Sequence, residues 1–110
     1  MSLDVYLRID PCEHCGRSGE GPSQNITHNV YRMWRLVGVY SALYESEDKL
    51  ARDVLPALRK GVETMRAMLD DCRKLNPENG WGNADGALRW LEEWTASCEK
   101  YPNARIEVSA

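Results

Sequence analysis

The sequence predicts a single α+β domain over residues 1–110, with two or three antiparallel strands formed by the chain ends and three to four helices packed on one face. Two observations lead to this prediction. Short stretches at both ends of the chain alternate apolar and polar residues, which is typical of half-buried strands. Longer stretches between them repeat apolar residues every three or four positions, which is typical of helices with one apolar face.

The two end strands are predicted over residues 3–9 and 104–109, where the alternation is clearest. They would pair most economically with each other and leave one face of the sheet for the helices. Residues 11–25 are rich in Gly, Ser, Pro and Cys, so they predict a loop, with a short third strand leading into Ile26.

A first helix is predicted from about residue 28 to residue 43, because four large apolar residues recur at helical spacing between Val30 and Val37. The segment from about residue 46 to residue 75 shows the same spacing, but Pro56 interrupts it. Proline lacks a backbone N–H and costs about 3 kcal/mol in a helix interior. We therefore expect either a kink at Pro56 or two helices, the second of which begins there.

A last helix is predicted over about residues 85–100, with Asn83 or Asp85 as its N-cap. The preceding residues, 76–86, form a turn-rich loop that holds one large aromatic residue, Trp81. Two cysteines, Cys72 and Cys98, fall on apolar helical stripes and are expected to be small core residues.

Composition and charge exclude several classes of function. The net charge of −3 argues against binding to extended nucleic acid, which needs a basic surface. No apolar run approaches the roughly 20 residues of a membrane helix, and the N-terminus has no secretory-signal pattern, so a cytoplasmic protein is expected. Ten of the 14 basic residues are arginine, whose planar fork suits phosphate and carboxylate groups, although plain surface ion pairs are the commoner use of the residue.

The spacing of Cys12 and Cys15, followed by Gly16, is that of half a zinc site. The other half is missing from the sequence, because His28 lies at a zinc-finger interval but no fourth ligand follows it. Three interpretations stay open: a structural zinc whose remaining ligands come from the fold, a metal-free turn with reduced thiols, and a redox pair.

The NITHN segment, residues 25–29, supplies more polar groups than one helix cap needs. Thr27 or Asn25 can cap the first helix. The surplus predicts a ligand site formed by Asn25, Thr27, His28, Asn29 and Trp81, with Arg32 or Arg35 binding an anion. Ordinary turn chemistry is the alternative explanation of the same residues.

The sequence contains no nucleophile elbow, zinc-protease motif, P-loop or Gly-rich phosphate fingerprint. An enzyme is therefore not indicated, and a binding module is the first hypothesis. A protein–protein adaptor with an aromatic surface around Trp90 and Tyr31 is the second, and a fold or enzyme that depends on zinc is the third.

Several motifs, taken in order, resemble those of small proteins encoded in bacteriophage and prophage genomes. They are Cys12-x-x-Cys15-Gly16-Arg17, the NITHN segment, Gly38-Val39-Tyr40, the NPENGWG segment (residues 76–82) and Pro102-x-Ala104. The resemblance implies a phage-derived protein in the cytoplasm of a host bacterium and supplies no catalytic residues. Phage proteins of similar size include homo-oligomeric sponges that sequester cyclic-nucleotide or ADP-ribose immune signals. By that analogy an anti-defence role is expected here, with a nucleotide-like ligand and a homo-oligomer.

Overall fold

The computed structural model describes residues 2–9, 19–78, 80 and 82–110, and it confirms the α+β class. Three antiparallel strands form one sheet in the order β2-β1-β3. Their bounds are Ser2–Ile9 for β1, Gly19–Thr27 for β2 and Arg105–Ser109 for β3. The predicted pairing of the two end strands is confirmed, since β1 is central and pairs with β3 along Asp4–Arg8.

The third strand is longer than the sequence predicts. Residues 19–25 were expected to lie in a loop, but they belong to the nine-residue β2, which pairs with β1 from Ile9↔Gly19 to Ser2↔Thr27. The register shifts between Tyr6 and Arg8, so the pairing contains an irregularity near the start of β2. Glycine and proline disfavour strands in isolation, and pairing with a central strand overrides that preference.

One face of the sheet carries the helices. On β1, Leu3, Val5 and Leu7 are fully buried, whereas Tyr6 and Arg8 point to the other face and are exposed. Neighbouring side chains on a strand point to opposite faces, so this burial pattern is the alternation that the sequence predicts.

The prediction of one continuous helix over residues 28–43 is wrong. A 3₁₀ turn, His28–Val30, leads into α1, Tyr31–Val37, and a separate α2 covers Tyr40–Tyr44. Gly38 separates the helices with a left-handed backbone, φ 81°, the usual conformation at the end of a helix. The core stripe itself is confirmed, because the four apolar residues from Val30 to Val37 are all buried.

The long middle segment forms α3, Ala51–Ala67, and a short α4, Leu69–Arg73. Pro56 lies inside α3 and is exposed, so it does not open a second helix. The break comes instead at Met68, whose φ of −109° and ψ of 22° interrupt the helical backbone. The start of α3 is stabilised by Asp53, whose carboxylate accepts a hydrogen bond from the Leu50 N–H at 3.3 Å.

The last helix, α5, covers Ala84–Lys100 and packs mainly on α3. Its N-cap is Asn83, one of the two predicted residues, whose side-chain oxygen accepts from the Gly86 N–H at 2.7 Å. Cys72 and Cys98 are buried free thiols, as predicted. No helix in the described part of the chain has the length and apolar character needed to cross a bilayer.

Candidate functional site

Asn25 belongs to the sheet rather than to the helix cap. It lies opposite Asp4 in the β1–β2 pairing, and its amide donates hydrogen bonds to the Asp4 carboxylate and to the Ser2 hydroxyl. These contacts hold the side chain on the strand. Asn25 therefore stabilises the end of β2 next to the turn that follows.

Thr27 is the cap. Its hydroxyl oxygen accepts from the Asn29 N–H at 3.3 Å as the chain enters the 3₁₀ turn. His28 points elsewhere, because its Nδ1 lies 2.8 Å from the Tyr44 hydroxyl and its ring stacks on the Tyr44 ring at 5.5 Å. His28 thus joins the start of the turn to α2.

Tyr44 remains protonated well into the alkaline range. Burial, together with the neighbouring Tyr40, raises the pKa of its phenol to about 12. A protonated phenol can donate to Nδ1 of a neutral His28. The other ring nitrogen of His28, Nε2, is buried and has no hydrogen-bond partner among the described residues.

A pH dependence of stability follows from Tyr44. The unfolded phenol ionises near its ordinary pKa of 10.0, while the folded phenol holds its proton to about pH 12. Unfolding therefore releases a proton in this range, so the free energy of unfolding falls as the pH rises from 10 to 12. Tyr44→Phe should make this fall shallower in urea titrations. Tyr6→Phe, at an exposed position, is the control, and equal slopes for both variants would contradict the assignment.

Two arginines lie over tyrosine rings on the outer side of α1 and α2. The guanidinium carbon of Arg35 is 5.4 Å from the Tyr31 ring centre and 4.7 Å from that of Tyr40. Arg32 lies 5.9 Å from the Tyr31 ring centre, and its Nε donates to the Tyr31 hydroxyl at 3.4 Å. Tyr40 in turn stacks on Tyr44 at 4.5 Å. Rings and guanidinium groups thus form one continuous stack from Tyr31 to Tyr44.

Arg32 and Arg35 differ from other arginines of the chain in their charge partners. Neither forms an ion pair with a carboxylate in the described part of the chain, whereas Arg59, Arg66 and Arg73 do. Hydrogen bonding and charge from Arg32, together with charge from Arg35, lower the pKa of the Tyr31 phenol. Arg32 and Arg35 thus place two positive charges beside one ring on a chain with net charge −3.

A surface cleft lies beside this stack, between the start of α1 and the segment after α4. Its volume is about 340 Å³, and its lining residues are Asn29, Tyr31, Arg32, Lys74, Leu75, Asn76, Pro77 and Glu78. We call it the Asn29 cleft. Of the predicted ligand residues it contains Asn29 and Arg32. Arg35 does not line the cleft, but it contacts the ring of Tyr31, which does.

The NITHN and NPENGWG segments meet at this cleft. Asn29 lines it from one segment and Asn76 from the other. The Asn76 side-chain oxygen also accepts from the Ala84 N–H at 2.8 Å, which fixes the segment to the start of α5. A Cβ atom added at Gly82 would lie 2.8 Å from the Thr27 methyl, so the two segments are in close contact there.

Two other depressions are less suited to an anion. The groove between α3 and α5 is crossed by the ion pairs Arg59–Glu99 at 3.2 Å and Arg66–Glu92 at 2.9 Å, which pair both of its arginines with carboxylates. A smaller depression of about 230 Å³, near Ile26, is mostly apolar. The Asn29 cleft contains Arg32, which has no ion-pair partner among the described residues, together with Lys74, Glu78 and exposed amide and aromatic groups, so it is the stronger candidate.

Three predicted site residues, Cys12, Cys15 and Trp81, lie outside the described residues. Among the residues that the structure does describe, no group of three or more His, Cys, Asp or Glu side chains is arranged to hold a metal ion. Trp90, expected on an adaptor surface, is instead a core residue that packs against Trp34 at 5.7 Å.

Sequence reasoning missed Lys74, Asn76, Tyr40 and Tyr44 as members of this surface. Tyr40 and Tyr44 are four residues apart, and this helical spacing could have indicated their stacking. Lys74 and Asn76 gave no comparable signal, because only the packing of α4 brings them beside Asn29.

Comparison of the chain with protein-family models, with curated proteins and with solved structures yields no match. The functional assignment therefore depends on the geometry and chemistry of the Asn29 cleft.

Proposed function

We propose that this chain is a binding protein for a small, nucleotide-like anion, which occupies the Asn29 cleft. The observation that supports this most directly is the position of Arg32 in the cleft lining, with no ion-pair partner among the described residues and with its guanidinium against the Tyr31 ring. An unpaired arginine beside an aromatic ring offers a charge for phosphate and a face for a base.

The remaining lining residues fit the same class of ligand. Lys74 adds a second cation, and its ion pair with Asp71 at 3.6 Å is long and exposed, so a phosphate can replace it at little cost. The Asn29 amide can donate to and accept from a base edge, and the Glu78 carboxylate can accept from ribose hydroxyls.

The proposal extends to sequestration rather than turnover. The resemblance to phage-encoded proteins suggests that the ligand is a bacterial immune signal of the cyclic-nucleotide or ADP-ribose type, held in the host cytoplasm by a homo-oligomer. A sponge of this kind returns its ligand chemically unchanged. Intact ligand recovered after incubation and denaturation of the protein is therefore the expected result, and a converted product would contradict sequestration.

Loss of the Arg32 charge is expected to weaken binding about 10- to 100-fold, because a hydrogen bond to a charged group contributes about 1.5–3 kcal/mol. The measurement is calorimetric titration of wild type and Arg32→Ala with cyclic AMP and ADP-ribose, supported by thermal-shift screening. Arg32 is exposed, so the variant should fold normally.

Arg89→Ala is the matched control, because Arg89 is also an exposed arginine on a helix and lies outside the Asn29 cleft. Its affinity should equal that of wild type. Absence of a thermal shift or heat of binding with every nucleotide and ADP-ribose derivative would refute the nucleotide assignment.

A protein partner is the second candidate, because two large apolar side chains on α1 are exposed. Tyr31 is 37% and Leu36 41% exposed, and Arg35, which forms no ion pair with a described residue, lies beside the Tyr31 ring. Tyrosine and arginine are enriched at the centres of protein interfaces. Recovery of a stoichiometric protein on wild type but not on Leu36→Asp, with nucleotide binding unaffected, would favour this function, since Leu36 is outside the cleft lining.

A further inference from the structure

Arg35 is held in place by two aromatic rings. Its guanidinium carbon lies 4.7 Å from the Tyr40 ring centre and 5.4 Å from the Tyr31 ring centre. The Tyr40 ring is supported from behind by Tyr44, with the two planes only 10° apart. No hydrogen bond to a described residue uses the Arg35 guanidinium, so its N–H groups are available as donors to a ligand.

Arg35 and Arg32 share the Tyr31 ring. Both guanidinium carbons lie within 6 Å of its centre, so the two charges are close enough for one elongated anion to contact both. Tyr31 also lines the Asn29 cleft. A ligand in the cleft that extends past Tyr31 therefore meets a further cation, Arg35, in addition to the Arg32 and Lys74 that line the cleft.

We infer that the Asn29 cleft and Arg35 together form a site for a pyrophosphate-bearing nucleotide, in which Arg32 and Arg35 bind the anionic groups. The inference depends on the proposed function and narrows its ligand class. A cyclic mononucleotide has one phosphodiester charge, which Arg32 alone can match. A pyrophosphate carries more charge over a longer span, and it matches two guanidinium groups that have no ion-pair partner among the described residues.

The stack prepares Arg35 for this role. A free arginine side chain loses rotamer freedom when it binds an anion, which weakens the interaction. Tyr31 and Tyr40 restrict Arg35 before any ligand arrives, so less freedom is lost on binding. The fork geometry matters as well as the charge, because only arginine can bind phosphate oxygens bidentately.

The test compares ligands that share adenosine and differ in their phosphates. ADP and cyclic AMP are titrated by calorimetry into wild type, Arg35→Ala and Arg35→Lys. Wild type should bind ADP more tightly than cyclic AMP. Arg35→Ala should lower the affinity for ADP about 10- to 100-fold and that for cyclic AMP less than about threefold. Arg35→Lys should be intermediate for ADP, because it keeps the charge and loses the fork.

Inorganic pyrophosphate and inorganic phosphate supply a readout that does not depend on the base. Each is titrated as a competitor of ADP, and pyrophosphate should compete better with wild type but no better than phosphate with Arg35→Ala. Arg89→Ala is the control for a general loss of positive charge. Melting temperatures of all variants show whether Arg35→Ala stays folded.

The outcomes separate this inference from the proposed function. Equal losses for ADP and cyclic AMP in Arg35→Ala, or equal competition by phosphate and pyrophosphate with wild type, overturn the pyrophosphate site and leave nucleotide binding standing. Failure of wild type to bind either nucleotide overturns both. If Arg35→Ala unfolds, the Arg35→Lys variant is used in its place. An unchanged ratio of ADP affinity to cyclic AMP affinity in that variant overturns the role of the guanidinium fork.

Discussion

Gly61→Ala is expected to destabilise the chain by about 2–3 kcal/mol, the upper end of the usual range for overpacking a core. Gly61 is a buried residue of α3. A Cβ atom there would overlap the Val39 Cγ1 atom, and it would lie 3.3 Å from the Val39 Cβ and 3.7 Å from the Leu91 Cδ2. Val39 is fully buried, so it cannot move away without disturbing the core. Urea or thermal unfolding of the single variant measures the effect.

The sign of this effect distinguishes packing from helix propensity. In an exposed helix interior, glycine to alanine stabilises by about 0.8–1 kcal/mol. The double variant Gly61→Ala with Val39→Ala removes the overlapping methyl groups. It should be more stable than the sum of the two single changes implies, by at least about 1 kcal/mol, because residues in contact are energetically coupled. Stabilisation by Gly61→Ala alone would contradict the observed packing of α3 on Val39.

Gly82→Ala is expected to cost about 2–3 kcal/mol and to weaken ligand binding as well. Gly82 has φ 93°, where an L side chain is strained. Its new Cβ would also lie 2.8 Å from the Thr27 methyl and 3.0 Å from the Val30 Cγ1. The clash would push the NPENGWG segment away from the NITHN segment, and these two segments supply Asn76 and Asn29 to the cleft. Denaturant unfolding and ADP titration measure the two effects.

Two comparisons divide the Gly82 effect into its causes. Gly38→Ala is the control for backbone strain alone, since Gly38 has φ 81° and nothing lies within 4 Å of its Cβ position. Thr27→Ser removes the clashing methyl and keeps the hydroxyl that caps the turn. Gly82→Ala should be more destabilising than Gly38→Ala. Adding Thr27→Ser to Gly82→Ala should restore part of the stability that Gly82→Ala loses beyond Gly38→Ala. Equal losses at Gly82 and Gly38 would show that the segments are not in close contact.

Much of the fold could be predicted from local patterns. Period-two alternation identified β1 and β3, and helical spacing identified the buried stripes that contain Trp34 and Trp94, because burial on one face imposes those periods directly on the sequence. The helix cap at Asn83 could also be predicted from the sequence, because capping depends on a side chain and the backbone three residues away.

The extent of β2 and the helix breaks at Gly38 and Met68 could not be predicted from the sequence patterns. Residues 19–25 have weak strand preference and become a strand because β1 offers hydrogen-bond partners along their length. Gly38 has no special position in the apolar pattern, but its left-handed backbone ends α1. Such features depend on partners and dihedral angles that a periodicity does not encode.

For the candidate site, the sequence by itself determined which chemistry was present: a surplus of amide and hydroxyl groups in the NITHN segment, and arginines close behind it. Only the tertiary structure decided how these groups are used. In the structure Asn25 bonds to Asp4, Thr27 caps the 3₁₀ turn and His28 contacts the Tyr44 hydroxyl. Asn29, Arg32 and Arg35 face outward. The physical reason is that a polar side chain is available to a ligand only if the fold does not already satisfy its hydrogen bonds. The partners of His28 and Asn25 are 16 to 23 residues away in the sequence, so only the fold brings them together.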